Sequence, residues 1–112
     1  MRIAIPVTDG VLATHFGHCD EFAVAEVDAE RNSVVNLESL TPPAHAPGAF
    51  PKWLHEQGVD VVIAGGMGRR AQALFAEQGI EVVVGAPGMK PDDLIQSYLD
   101  DSLETGANRC DH

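Results

Sequence analysis

Three side chains with metal affinity fall within five residues in His15-Phe16-Gly17-His18-Cys19-Asp20. Imidazole nitrogen and thiolate sulfur suit zinc, iron or copper, and Gly17 lets such a loop fold its ligands toward one point. A lone cluster of this kind falls short of a filled tetrahedral site. A second group, Cys110-Asp111-His112, would complete the shell if the tail folds back over the loop. The competing reading makes the first group exposed loop residues, with Cys19 a small buried hydrophobe, and the second a frayed terminus with an incidental thiol. Because each cysteine has a histidine nearby, the two readings are evenly matched. His45, in a proline-rich segment, is a further candidate ligand, whereas His55 falls on the surface of a predicted helix.

A different chemistry is offered by Val61-Val62-Ile63-Ala64-Gly65-Gly66-Met67-Gly68-Arg69-Arg70-Ala71, an apolar strand running through glycines into a helix. Backbone amides at such a turn can hold an anion, and Arg69 and Arg70 add positive charge. Gly65, Gly66, Met67, Gly68 and Arg69 are therefore the candidate cofactor-binding residues. The stretch from Gly66 to Ala71 also matches the dinucleotide fingerprint, but the next strand ends at Val84-Gly85-Ala86-Pro87 without the acid that takes a ribose hydroxyl. The plainer alternative is glycines that permit close helix–strand packing, with Met67 in the core. An anionic metal–sulfur cluster would use the same amides.

No nucleophile elbow, catalytic triad, Walker lysine or paired acid and base is present, so no motif supports catalysis. The formal charge of −10 disfavours phosphate backbones and anionic lipid surfaces, which excludes nucleic-acid and membrane partners. The first apolar run, cut by Pro6 and Asp9, is too short for a signal-peptide core or a membrane span, and a cytoplasmic location is expected. Two cysteines are too few for a secreted disulfide framework, and a 19–110 disulfide is the less favoured alternative to free thiols.

Positioning these residues falls to an α/β chain. Residues 2–7, 21–27 and 33–40 read as strands, the last two as an antiparallel hairpin around the polar turn 28–32. The prolines of 41–48 impose a loop. Phe50, Trp53 and Leu54 then recur at helical spacing up to Gly58, as do Ala71, Leu74 and Phe75 up to Gly79. Each helix is followed by a short apolar strand, 59–64 and 80–84. A third helix starts at Pro91-Asp92-Asp93 and carries Leu94, Ile95, Tyr98, Leu99 and Leu103. The expected order is β-β-β-α-β-α-β-α with a mixed five-stranded sheet, in one domain over residues 1–104 followed by a tail, 105–112.

The strand Arg2-Ile3-Ala4-Ile5-Pro6-Val7, the loop His15-Phe16-Gly17-His18-Cys19, the stretch Phe50-Pro51-Lys52-Trp53-Leu54 and the glycine segment Val61 to Gly68 together resemble the dinitrogenase iron-molybdenum cofactor biosynthesis family. The resemblance covers nearly the whole chain, and the ending Gly106-Ala107-Asn108-Arg109-Cys110-Asp111-His112 is similar to that of small stand-alone members. It implies a ribonuclease-H-like fold. It also implies transient holding of an iron-sulfur or molybdenum-iron-sulfur cluster, cradled by His15, His18, Cys19 and the turn from Gly65 to Gly68. Metallocofactor assembly proteins, among them an iron-sulfur scaffold ATPase, are the partners that follow. A metal-free interaction module acting on such proteins is the alternative from a different class. A nuclease ranks last, because it needs carboxylates around the first strand, where Ile3, Ala4 and Ile5 stand.

Overall fold

The computed structural model of the chain describes residues 1–14, 16, 19–28, 30–43 and 49–106. Its elements are β1 (Arg2–Thr8), β2 (Val11–Leu12), β3 (Glu21–Asp28), β4 (Ser33–Leu40), α1 (Ala49–Glu56), β5 (Val61–Ile63), α2 (Arg69–Glu77), β6 (Glu81–Val83) and α3 (Pro91–Leu99). One mixed sheet runs in the order β4-β3-β1-β5-β6, with β2 paired to β1 beside that path. β1 is antiparallel to β3 and parallel to β5, and β6 continues the parallel section.

The sheet therefore has six strands, not the expected five. The extra strand, β2, pairs Val7 with Leu12 and Thr8 with Val11 across Asp9 and Gly10, whose φ values are 54° and 82°. Two consecutive positive φ angles are what a tight two-residue hairpin demands, and Asp-Gly is the dipeptide that tolerates them. A two-residue strand leaves too little alternation to be seen in the sequence.

Alternation along β1 divides the core. Ile3, Ile5 and Val7 enter a cluster closed by Leu94 and Ile95 of α3. Ala4 enters the other, with Phe22, Phe50, Leu54, Val62 and Phe75, beneath α1 and α2. Burying each large side chain of this kind stabilises the fold by about 1.5–3 kcal/mol. Leu103 was expected within the third helix, but α3 ends at Leu99, Asp101 turns with φ 60°, and the amides of Ser102 and Leu103 both donate to Ser97 O. Beyond that stop Leu103 still packs against the α3-side cluster, so its apolar periodicity reported packing and not helix.

Candidate functional site

The parallel strands β1, β5 and β6 direct their carboxyl ends toward the same margin of the sheet, the place where open α/β sheets receive ligands. Three connections and the start of the tail meet there through backbone hydrogen bonds. Phe16 N–H donates to Gly66 O at 3.1 Å, which brings the loop after β2 against the glycine turn after β5. Gly85 N–H, in the turn after β6, donates to Gly65 O at 3.1 Å, and Gly106 N–H donates to Gly85 O at 2.7 Å. Leu12 N–H reaches Met89 O at 3.0 Å on the way into α3.

Every carbonyl from Ala64 to Gly68 accepts a hydrogen bond from within the protein. Ala64 takes Ala86 N–H, Gly65 takes Gly85 N–H, Gly66 takes Phe16 N–H, and Gly68 takes the Gln72 N–H. The Met67 carbonyl accepts from Gln72 Nε2 at 3.0 Å. Five successive negative dipole ends are thus tied to internal donors. The turn then enters α2 at Gly68, which caps it with extended backbone and no side-chain bond. No acid stands in the first turn of α2; Arg69 and Arg70, both exposed, begin it. The positive end of the helix dipole lies at such a terminus, so the turn favours negative charge.

Gly85 holds this junction by having no side chain. Its φ is +80°, and a Cβ there would overlap the carbonyl of Gly106. The sequence offered Gly85 only as the end of a strand without an acid; the close approach of a chain segment twenty-one residues on left no local signal. Met67 is fully buried among Ala4, Phe22 and Phe75, so its side chain belongs to the core and its backbone to the turn.

Phe16 fixes the approach of the loop. Its ring lies 5.7 Å from Phe22, 5.6 Å from Phe50 and 5.3 Å from Phe75, edge-on to each. Edge-to-face pairs add to the burial term. Cys19, three residues on, packs against the same cluster and is half-buried. Burial pushes its thiol up from 9.0 to about 11, the charge of Asp20 adds to the rise, and a backbone hydrogen bond at Cys19 opposes it. The thiol is therefore protonated at neutral pH, and a metal would have to displace its proton. Among the described residues no three of His, Cys, Asp and Glu gather into a metal-holding group. His15, His18, His45, Cys110 and His112 lie outside the described residues.

The description "Dinitrogenase iron-molybdenum cofactor" belongs to the family that matches residues 1–101. The chain belongs to this family. An uncharacterized protein of Methanocaldococcus jannaschii is 30% identical over 109 residues, covering 93% of this chain and 90% of its own length. The crystal structure of PH0822 superposes with a TM-score of 0.88 at 29% identity, with 97% of each chain covered. The apo form of the orange protein from Desulfovibrio gigas superposes with a TM-score of 0.72 at 26% identity, covering 96% of this chain and 93% of its own. Family membership ties the chain to metallocofactor biosynthesis, and these neighbours share its α/β architecture. No helix among the described residues is long and apolar enough to cross a membrane.

Proposed function

We propose that the chain carries an anionic iron-sulfur or molybdenum-iron-sulfur cluster as cargo, seated where the loop after β2 meets the turn from Gly65 to Gly68. The observation that carries this reading is the commitment of all five carbonyls from Ala64 to Gly68 to internal donors beside a helix terminus opened by Arg69 and Arg70. A sulfide-rich anion settling there meets amide hydrogens and guanidinium groups instead of carbonyl oxygens. His15, His18 and Cys19 are the proposed ligands from the loop, with Cys110, His112 and His45 as further donors. Gly106, the second residue of the tail, donates to Gly85 O beside the turn, which supports counting the residues that follow it among the further donors. Orange protein is described in an apo form, a description that presupposes a bound one and supports the reading by likeness.

In this reading the chain binds and hands over its cargo in the cytoplasm, and no catalytic step is assigned to it. Metallocofactor assembly proteins, including an iron-sulfur scaffold ATPase, are the proposed donors and acceptors. The fold is taken as ribonuclease-H-like, supported by a central β1 with antiparallel β3 on one side and parallel β5 on the other. The half-burial of Cys19 against the aromatic cluster favours a second reading, a metal-free module that acts on assembly proteins by contact alone.

Anaerobic reconstitution with iron, molybdate and sulfide, followed by metal analysis and visible absorption, separates the two. A carrier retains stoichiometric metal with charge-transfer absorption, and His18→Ala with Cys19→Ala loses both. A protein that retains no metal leaves the interaction module as the better reading.

A further inference from the structure

α3 runs away from the carboxyl margin of the sheet, and its far end is fixed beside the start of β6, where the Tyr98 hydroxyl donates to Glu81 Oε2 at 3.0 Å. The chain then turns back. Asp101 takes a φ of 60°, the amides of Ser102 and Leu103 close on Ser97 O, and Gly106 arrives at Gly85, beyond the other end of β6. Residues 101–106 are therefore a strap that returns along β6 to the carboxyl margin. It is held lightly. Leu103 is its one half-buried side chain, packed on the α3-side cluster, while Ser102, Glu104, Thr105 and Gly106 are exposed. Few buried contacts and exposed hydrogen bonds are what let a segment open locally while the domain stays folded.

The end of the strap is linked to the glycine turn by two hydrogen bonds in series. Gly106 N–H donates to Gly85 O at 2.7 Å, and Gly85 N–H donates to Gly65 O at 3.1 Å. Gly85 is buried, and a Cβ on it would overlap the Gly106 carbonyl, so backbone lies directly on backbone at this contact. Peptide planarity carries the effect one step further. In the trans peptide joining Gly65 to Gly66, the carbonyl and the N–H point opposite ways. Holding Gly65 O on Gly85 therefore turns the Gly66 N–H away from Gly85. With the strap lifted, Gly85 O loses this donor, the turn after β6 relaxes, and the peptide from Gly65 to Gly66 is released to swing its oxygen toward an anion.

We propose that the strap is a catch on the cargo: docking of Gly106 on Gly85 and seating of an anion at the turn from Gly65 to Gly68 stabilise each other, and lifting the strap speeds release. The inference rests on the cargo reading and adds to it a control element separate from every candidate ligand. Linkage makes the coupling reciprocal, so the cargo holds the strap down as firmly as the strap holds the cargo. One net hydrogen bond sets its size, at about fivefold.

Two substitutions at one exposed position test the catch in the full chain. Gly106→Ala keeps the N–H and places a Cβ 3.9 Å from Gly85 O, an ordinary contact. Gly106→Pro removes the donor and sets a ring carbon where the hydrogen stood. Both leave all candidate ligands in place. In the apo protein, amide exchange at Gly85 should quicken about fivefold in Gly106→Pro and keep the wild-type rate in Gly106→Ala. After anaerobic reconstitution with iron, molybdate and sulfide, loss of metal to an iron chelator should quicken by a like factor in Gly106→Pro alone, and loading of the wild type should slow exchange of the Gly106 amide. Displaced tail ligands would leave the apo Gly85 amide unchanged, so that amide separates the catch from an effect on ligation. Equal rates in the two variants overturn the catch, with a loaded wild type still supporting the cargo reading. A wild type that takes up no metal overturns the cargo reading, and the catch with it.

Discussion

Cys19 is pulled two ways, and the conflict can be measured. Its half-buried thiol keeps its proton to about pH 11, while an unfolded chain would release it from about 9.0. The folded pKa lies above the unfolded one, so the stabilisation is complete below pH 9 and is lost as pH rises toward 11. Urea midpoints of the wild type should fall more steeply across that window than those of Cys19→Ala. Under the proposed ligation by Cys19 the same proton must leave before the thiol takes a metal, so cluster loading should weaken by about tenfold per pH unit as pH falls, through this one thiol. Loading titrations at several pH values read that slope. At Gly85 the argument is steric. Gly85→Ala puts a Cβ into the Gly106 carbonyl at a φ of +80°, at an expected cost of about 1–3 kcal/mol that a denaturation midpoint would show. Cys19 stood out in the sequence because thiols beside histidines are rare and chemically pointed. Gly85 did not, because what makes it necessary is Gly106, a neighbour only in space.

Helix terminus and loop anchor make the next scale testable. Acids are favoured in the first turn of a helix, yet α2 begins with Arg69 and Arg70. Arg70→Glu should stabilise the apo protein by about 0.3–1 kcal/mol and weaken loading of an anionic cluster, two effects of opposite sign. Thermal melts of the apo protein and metal retention after reconstitution read them separately. Phe16→Ala removes a ring packed edge-on against three others and should cost about 3–5 kcal/mol. Phe16→Leu keeps most of the volume and should recover much of that loss, which a urea titration of both variants would show. The helices were legible because Phe50, Trp53 and Leu54, or Leu94, Ile95 and Tyr98, repeat with the helical period and meet a glycine or a stop. The antiparallel β3–β4 hairpin was legible from two runs of strand-forming residues across a polar turn, whereas the bulge that shifts its register at Val35 left no signal. β2 was missed because its signal was the Asp9-Gly10 turn and not its own two residues. Leu103 misled because a residue past the end of a helix can fill the same groove as one inside it.

The whole molecule is a sheet with separate cores on its two faces, and the glycine junction sits where both end. Phe16, Cys19 and Met67 are seated in the core beneath α1 and α2, whereas Ala86, Met89 and Leu103 belong to the one beneath α3. A ligand at the junction holds to both, so loading should raise the midpoint of the entire unfolding transition and not that of one face. Circular dichroism melts of apo and reconstituted protein compare the two. Trp53 is the only tryptophan of the chain, with its ring 5.6 Å from Phe22, and Phe22 in turn meets the Phe16 that fixes the loop. The protein therefore carries its own lamp. A cluster that absorbs in the near ultraviolet and visible would take up indole emission from across this short run of rings, and the arrival and departure of cargo could be followed as a dimming and recovery of light from the unlabelled chain.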